Sequence, residues 1–304
     1  MVSTKRVPPT RQLQDRVSAA LGATTRWRAP HTGLSAAERF VVEFADGSSA
    51  FVKAATDAET EAWLRTEHEV LRRLSGAHGP RPLEWLTDGG YPVLVCEDLS
   101  QGYWPADSPP VKWSPEQLGL LFEALREIAA VEPVASLPLA EAGFEPSWPR
   151  IARVPDALLA LDLCSEAWLT RVLDDLVRAE ARVPLAGDAL VHNDVRSDNV
   201  CFLDDRVVFV DWGGARRGNR QYDLASLLTT LPLEGGPAPF SVMPDGGPWA
   251  AYWAGRSLWR ASEERDLPAW FRRVLCRIGL ICLEWAERAE DLPPRDGIAW
   301  SDLR

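Results

Sequence analysis

Lysine is nearly missing from this chain. Of its 304 residues only three are Lys (Lys5, Lys53 and Lys112), so the remaining 30 of the 33 basic residues are Arg. Positive charge as a whole is in deficit: 33 basic residues face 44 acidic ones, a formal net charge of −11. Contact along DNA or RNA needs Lys and Arg to displace phosphate counterions, so a broad nucleic-acid footprint is excluded. No apolar run approaches the ~20 residues that span a bilayer. The first residues, MVSTKRVPPTRQLQDR, lack the apolar core of a secretory signal, and a cytoplasmic location without membrane contact is expected. The five cysteines (Cys96, Cys164, Cys201, Cys276, Cys282) form no C-x-x-C pair and sit mostly in apolar runs. With only four His, none at zinc spacing to a Cys, they read as buried free thiols in a reducing compartment.

What is present is ordinary for a folded protein, 46% apolar and 25% charged, with a length that suggests two lobes. Residues 10–22 read as a short helix from Thr10 as N-cap to Gly22 as stop. Strand-like runs at 39–44 and 50–54 are joined by Ala45-Asp46-Gly47, a hairpin signal. Helical spacing over 58–75 stops at Gly76, and two further strand-like runs follow at 82–86 and 92–96. The Gly- and Pro-rich stretch 99–113 reads as a hinge, dividing a lobe at 1–98 from one at 114–304. Ser114-Pro115-Glu116-Gln117 has capping-box form, predicting a helix to about 131. Helices are then expected at about 151–161, 166–182, 221–231, 248–262 and 268–290, interrupted by a strand–loop–strand block at 188–211. The fold class is therefore α+β: a small antiparallel-sheet lobe with one main helix, then a larger, mainly helical lobe.

The chemistry concentrates in residues 188–215, DALVHNDVRSDNVCFLDDRVVFVDWGGA. An apolar strand ends at His192, Asp194 and Asn199 follow five positions apart, and a short hairpin delivers Asp211. Mg2+ favours hard oxygen ligands, typically one or two carboxylates plus phosphate oxygens, so Asn199 and Asp211 suit a metal–phosphate site. Asp194 remains to orient or accept the proton of an attacking hydroxyl. That division matches the phosphoryl-transfer template, in which H-R-D-x-x-x-x-N supplies base and metal ligand and D-F-G the second ligand. Here the first motif runs from His192 to Asn199 and the second reads Asp211-Trp212-Gly213.

On these residues the sequence resembles the aminoglycoside phosphotransferase and choline kinase group of small-molecule kinases, which share the two-lobed fold of protein kinases. The order of elements extends the resemblance over nearly the whole chain. It implies ATP and Mg2+ as cofactors, and a strand Lys paired with a helix Glu that together position the nucleotide phosphates. Lys53, in a chain that otherwise uses Arg, is the strand candidate; a compact ammonium suits a phosphate site where the broader guanidinium fork does not. Of two acids on the next helix, Glu67 shares a face with Leu71 and Leu74, whereas Glu69 is turned about 200° away, so Glu67 is chosen. The resemblance places the phosphate loop near His31–Ser35, with Gly33 and Ser35 as contacts and only one glycine of the protein-kinase pattern. It places adenine against the main chain of Glu97, Asp98 and Leu99, where side chains do not separate ATP from GTP. Arg196, two residues after Asp194, stands where protein kinases carry a Lys facing the transferred phosphoryl. A salt bridge to Asp198 or Asp223 is the alternative for it.

The implied acceptor is a hydroxyl of a small molecule: an aminoglycoside, another antibiotic, a sugar or an amino sugar. Residues 1–150 carry net −5 and residues 151–304 net −6, so neither half is specially acidic and a polycation is not singled out. Trp249, Trp253, Trp259, Trp270 and Trp285 fall on the expected C-terminal helices, able either to stack on a sugar or to fill the core. A protein kinase is disfavoured, because the twelve residues from Asp211 to Asp223 leave no room for an activation segment. A non-catalytic nucleotide-binding module would be expected to have lost Lys53, Asp194 or Asn199, and all three are present.

Overall fold

The computed structural model of the protein describes residues 8–30, 37–107 and 109–303. Ten helices run in chain order among these residues: α1 Arg11–Leu21, α2 Ala58–Leu74, α3 Pro115–Ile128, α4 Trp148–Arg153, α5 Pro155–Leu159, α6 Glu166–Ala181, α7 Tyr222–Leu228, α8 Pro239–Val242, α9 Gly247–Glu263 and α10 Ala269–Ala289. The strands are β1 Thr24–Arg28, β2 Glu38–Phe44, β3 Ser49–Ala54, β4 Pro82–Leu86, β5 Val93–Glu97, β6 Ala189–Val191, β7 Val200–Phe202, β8 Val207–Phe209 and β9 Arg216–Gly218. Contacts divide the chain into two compact units, each assembled from several segments, and one of the crossings falls within α3.

The first unit holds the residues before 109 together with 123–138 and 192–216. Its sheet has five antiparallel strands in the order β1-β2-β3-β5-β4. One face is apolar and continuous: Phe40, Val42, Ala50, Val52, Ala54, Val93 and Val95 bury against Leu13 and Val17 of α1. Alternation along the strands therefore sends Lys53, Leu94 and Cys96 to the opposite face. Thr10 caps α1 and Gly22 closes it at φ 103°, a left-handed angle that glycine adopts without strain. In α2 the capping box is Asp57 with Thr60, each side chain taking the other's backbone N–H at 2.8 and 3.0 Å. The same helix packs on β4 and β5, with His68 stacked on Trp85 at 4.4 Å.

The second unit, 109–122, 139–191 and 217 onward, is mainly helical. Its core is built from large indoles: Trp148, Trp168, Trp249 and Trp285 are all buried. Helices α9 and α10 approach closely at Gly279, where a Cβ would stand 2.5 Å from Leu258. The buried Glu180 of α6 accepts the N–H groups of Ser147 and Trp148, both at 2.8 Å, and so caps the start of α4.

Two expectations need correction here. The single helix expected at 151–161 is two short ones, α4 and α5, because Pro155 forces Val154 out of helical geometry to φ −139°. The helix expected at 221–231 ends at Leu228, and a 3-10 turn with Pro232 in its first positions follows over Leu231–Glu234. β1 gives no alternating signal in sequence, since Trp27 is its one large apolar side chain; it is an edge strand held by pairing with β2 and by the Trp27–Phe40 contact at 5.4 Å.

Candidate active site

Four segments of the first unit converge on this site. The register of the β2–β3 hairpin puts Lys53 on the face opposite α1, and α2 brings Glu67 to it. The Lys53 ammonium donates to both oxygens of Glu67, at 2.7 and 2.8 Å, and to Asp211 Oδ1 at 2.9 Å. An ammonium has three N–H groups, so all three are engaged. Glu69 points elsewhere and accepts from Ser136 at 3.0 Å. Burial by itself would push Lys53 down, but the Glu67 and Asp211 charges outweigh it and hold the ammonium above its ordinary range. In return Lys53 holds the Asp211 carboxyl low against the opposing effect of burial, with Arg39 adding to the pull. Burial followed by the Glu67 charge pushes the neighbouring Cys96 thiol up, so it stays protonated.

Asp211 sits at φ 70°, a left-handed angle that residues other than glycine seldom adopt. The turn is stabilised from both sides. Trp212 is buried, its indole N–H donates to the Phe209 carbonyl at 2.7 Å, and its ring lies 4.4 Å from that of His192. Gly213 lets α2 approach, since a Cβ there would stand 3.0 Å from the Cβ of Trp63. The helix that carries Glu67 thus rests on the turn that carries Asp211.

The loop after β6 is laced to the same turn. His192 is buried; Nε2 faces the Val210 carbonyl at 2.9 Å, and Nδ1 faces the Asp194 N–H at 3.3 Å. These partners require the neutral tautomer with the proton on Nε2. Asn193, also left-handed at φ 70°, donates to the Gly214 carbonyl at 3.2 Å. The Asn199 carbonyl accepts from Val210 N–H at 3.0 Å, one residue before Asp211. Asn199 is buried, and its amide nitrogen donates to both the carbonyl (2.9 Å) and the Oδ2 (3.0 Å) of Asp194. Its side-chain oxygen is left as an acceptor. Sequence reasoning gave Asn199 one role and missed this second one, of fixing the rotamer of Asp194. Arg196 Nε lies 3.5 Å from Asp194 Oδ1, and its Nη2 lies 3.1 Å from Asp198 Oδ2.

The remaining expected site residues are more dispersed. Gly33 and Ser35 lie outside the described residues. Glu97 pairs with Arg206 and accepts from Arg81 N–H at 2.8 Å. Asp98 accepts from Ser49 at 2.8 Å and from Ser100 N–H at 2.9 Å. The Leu99 carbonyl takes the Gly102 N–H at 3.0 Å and the Trp104 indole at 3.2 Å. In the second unit Trp249 and Trp285 belong to the core, Trp270 is exposed, and Trp259 lies under Arg150 at 4.2 Å. Trp253 is half-buried beside Tyr222 and Tyr252. A cavity of about 270 Å³ lies between the 232–240 segment and α10, lined by Phe240, Trp285, Arg288 and Trp300 among others.

The family model described as "Phosphotransferase enzyme family" (APH) matches residues 26–259, over three quarters of the sequence. The chain belongs to the phosphotransferase enzyme family. It is accordingly a phosphotransferase of the class that acts on hydroxyl groups of small molecules. Solved structures share its two-lobed, protein-kinase-like α+β fold. One is an aminoglycoside phosphotransferase from Alicyclobacillus acidocaldarius subsp. acidocaldarius DSM 446, at TM-score 0.62 and 15% identity, covering 95% of this chain and 96% of that one. A second is a thermostable mutant of aminoglycoside phosphotransferase APH(4)-Ia in ternary complex with AMP-PNP and hygromycin B, at TM-score 0.60 and 17% identity over 90% and 99%. A third is a choline/ethanolamine kinase family protein from Mesorhizobium loti, at TM-score 0.58 and 17% identity over 91% and 94%. No curated protein sequence matches the phosphotransferase. Among the described residues, no helix is long and apolar enough to cross a membrane.

Proposed function

We propose that the phosphotransferase moves the γ-phosphoryl group of ATP, bound with Mg2+, to a hydroxyl of a small molecule, with Asp194 as the base. The observation that carries this reading is one cluster: the Lys53–Glu67–Asp211 contacts laced to the Asp194–Asn199 pair. Asp194 is half-exposed, and only its Oδ2 is held by Asn199, which leaves Oδ1 to receive a hydroxyl proton. Among the described residues no three His, Cys, Asp or Glu side chains form a metal cluster. The donor set is nonetheless right for Mg2+: the Asn199 amide oxygen and the Asp211 carboxylate are hard ligands, with phosphate and water completing the shell. The bound ion would neutralise charge on the phosphates.

Were Asp211 to hold such an ion, one Lys53 ammonium N–H would be available to a phosphate oxygen, with Glu67 keeping the Lys in place. With the Leu99 carbonyl committed, its N–H, beside Glu97 and Asp98, is a main-chain contact for adenine. Arg196, already beside Asp194, stabilises charge on the phosphoryl group in flight. The AMP-PNP and hygromycin B of the APH(4)-Ia complex are the kind of ligand pair this reading expects. Five buried free thiols suit a reducing cytoplasm.

The test is nucleotide consumption, with ATP and GTP, against aminoglycosides, macrolides, sugars, amino sugars, choline and generic protein substrates. The expected result is ATP-dependent turnover on one small hydroxylated class, abolished in Asp194→Asn. Retained turnover in that variant refutes the base assignment, and turnover on protein alone refutes the acceptor class.

A further inference from the structure

Lys53 has a second cation for a neighbour. In the β2–β3 ladder its cross-strand partner is Arg39. Directly opposed residues of an antiparallel pair project from the same face, with Cβ atoms about 4.5–5.5 Å apart. The faces here are unambiguous: Phe40, Val42, Ala50, Val52 and Ala54 fill the α1-side core, so Arg39 and Lys53 emerge together on the side of Glu67 and Asp211.

Two cations opposed on one ladder destabilise a sheet unless anions stand between them. The local carboxylates do not serve Arg39. Glu67 and Asp211 bind Lys53, and Glu43, on the same face of β2, lies 3.7 and 3.4 Å from Arg26 and Arg28. Among the described residues Arg39 has no carboxylate within salt-bridge distance. It is half-buried, which restricts the screening that a fully hydrated guanidinium would enjoy.

Resting on the phosphotransferase reading above, we infer that Arg39 is a second cationic anchor for the nucleotide's phosphates, paired with Lys53 across the hairpin. Its guanidinium fork matches two oxygens of a polyphosphate, and Lys53 supplies a point charge to another. The ligand chemistry is that of a nucleoside di- or triphosphate. A nucleoside or monophosphate lacks oxygens at both positions. Arg39 is a binding residue that favours longer phosphate chains.

The experiment compares wild type with Arg39→Met, which keeps the stem and removes the charge, and with Arg39→Lys. Calorimetry measures binding of ATP, ADP, AMP and adenosine, and of inorganic tripolyphosphate. Expected for Arg39→Met is a loss of about tenfold or more for ATP and tripolyphosphate, a smaller one for ADP, and less than about twofold for AMP and adenosine. Arg39→Lys recovers part of the loss. KM for ATP rises while KM for the acceptor is unchanged. The ligand-free melting temperature of Arg39→Met equals or exceeds that of wild type, because a like-charge contact is relieved. An equal loss across all four nucleosides and nucleotides, or a lowered ligand-free melting temperature, assigns Arg39 a structural role and overturns the inference. Undiminished ATP binding by Arg39→Met overturns it too, while leaving the phosphotransferase reading intact. Absence of nucleotide binding in wild type itself overturns both.

Discussion

Replacing Glu67 separates what the Lys53 clamp does for stability from what it does for nucleotide binding. The pair is buried, with side-chain exposures of 12% for Lys53 and 5% for Glu67, and bidentate at 2.7 and 2.8 Å. Removing one partner of a buried ion pair costs about 3–5 kcal/mol when nothing replaces it. Here Asp211 remains, but its side chain is 44% exposed and makes a single bond, so Glu67→Ala should cost somewhat less, about 2–3 kcal/mol. In urea that amounts to a fall of about 1 M in midpoint for ordinary m-values. Lys53→Met strands Glu67 in the same way and should cost a similar amount. The double variant Lys53→Met/Glu67→Leu removes both charges and leaves apolar side chains in an apolar site. Its stability should return to within about 1 kcal/mol of wild type, because a buried pair contributes little beyond its own desolvation. ATP affinity should stay lost in all three. The paired assays are urea denaturation and calorimetric ATP binding. If the double variant is as unstable as the sum of the singles, the cost is one of packing rather than of stranded charge, and the reasoning fails. Wild-type ATP affinity in any of the three would remove Lys53 from the phosphate site.

Other expectations follow from single contacts. Arg196→Ala should lower kcat about tenfold or more with ATP affinity within about twofold, since its charge acts in transit rather than on the bound donor; an unchanged kcat leaves it as the partner of Asp198 only. Glu180, whose burial outweighs its two N–H donors and pushes its carboxyl from 4.5 up to about 7, gives a pH signature in stability. A raised folded-state value means that the contribution is full below pH 4.5 and is lost as pH rises through about 7, an effect of about 3 kcal/mol. Denaturation of wild type and Glu180→Gln at pH 5 and 8 should show wild type losing that much relative to the variant, and parallel profiles would contradict the buried-carboxyl account.

Much of the fold was legible because its signals are local. Thr10, Asp46-Gly47 and the Ser114–Gln117 box mark helix starts and a turn through chemistry confined to a few residues. Where local rules competed, the outcome was lost: Pro155 overrode the helical periodicity of 151–161, and β1 exists only because β2 offers it an edge. The tryptophans illustrate the same limit. Trp249 and Trp253 share a helical face by spacing and both pack on Tyr222 and Tyr252, yet Trp249 is buried and Trp253 partly open.

For the site, the sequence alone determined the residue types, their order and their spacing, since those follow from strand, loop and hairpin lengths. The Asp46-Gly47 signal marked the hairpin, whereas its register, and with it the Arg39–Lys53 pairing, came from the structure. Periodicity likewise separated Glu67 from Glu69 on α2. Only the tertiary structure decided that Lys53 meets Asp211 across 158 residues, that Asn199 holds Asp194, and that all three ammonium N–H groups are engaged. Helical and strand periods fix which way side chains face within one element. They say nothing about which distant element packs against that face, and it is this packing that brings three acids, an amide and one rare lysine into a single cluster.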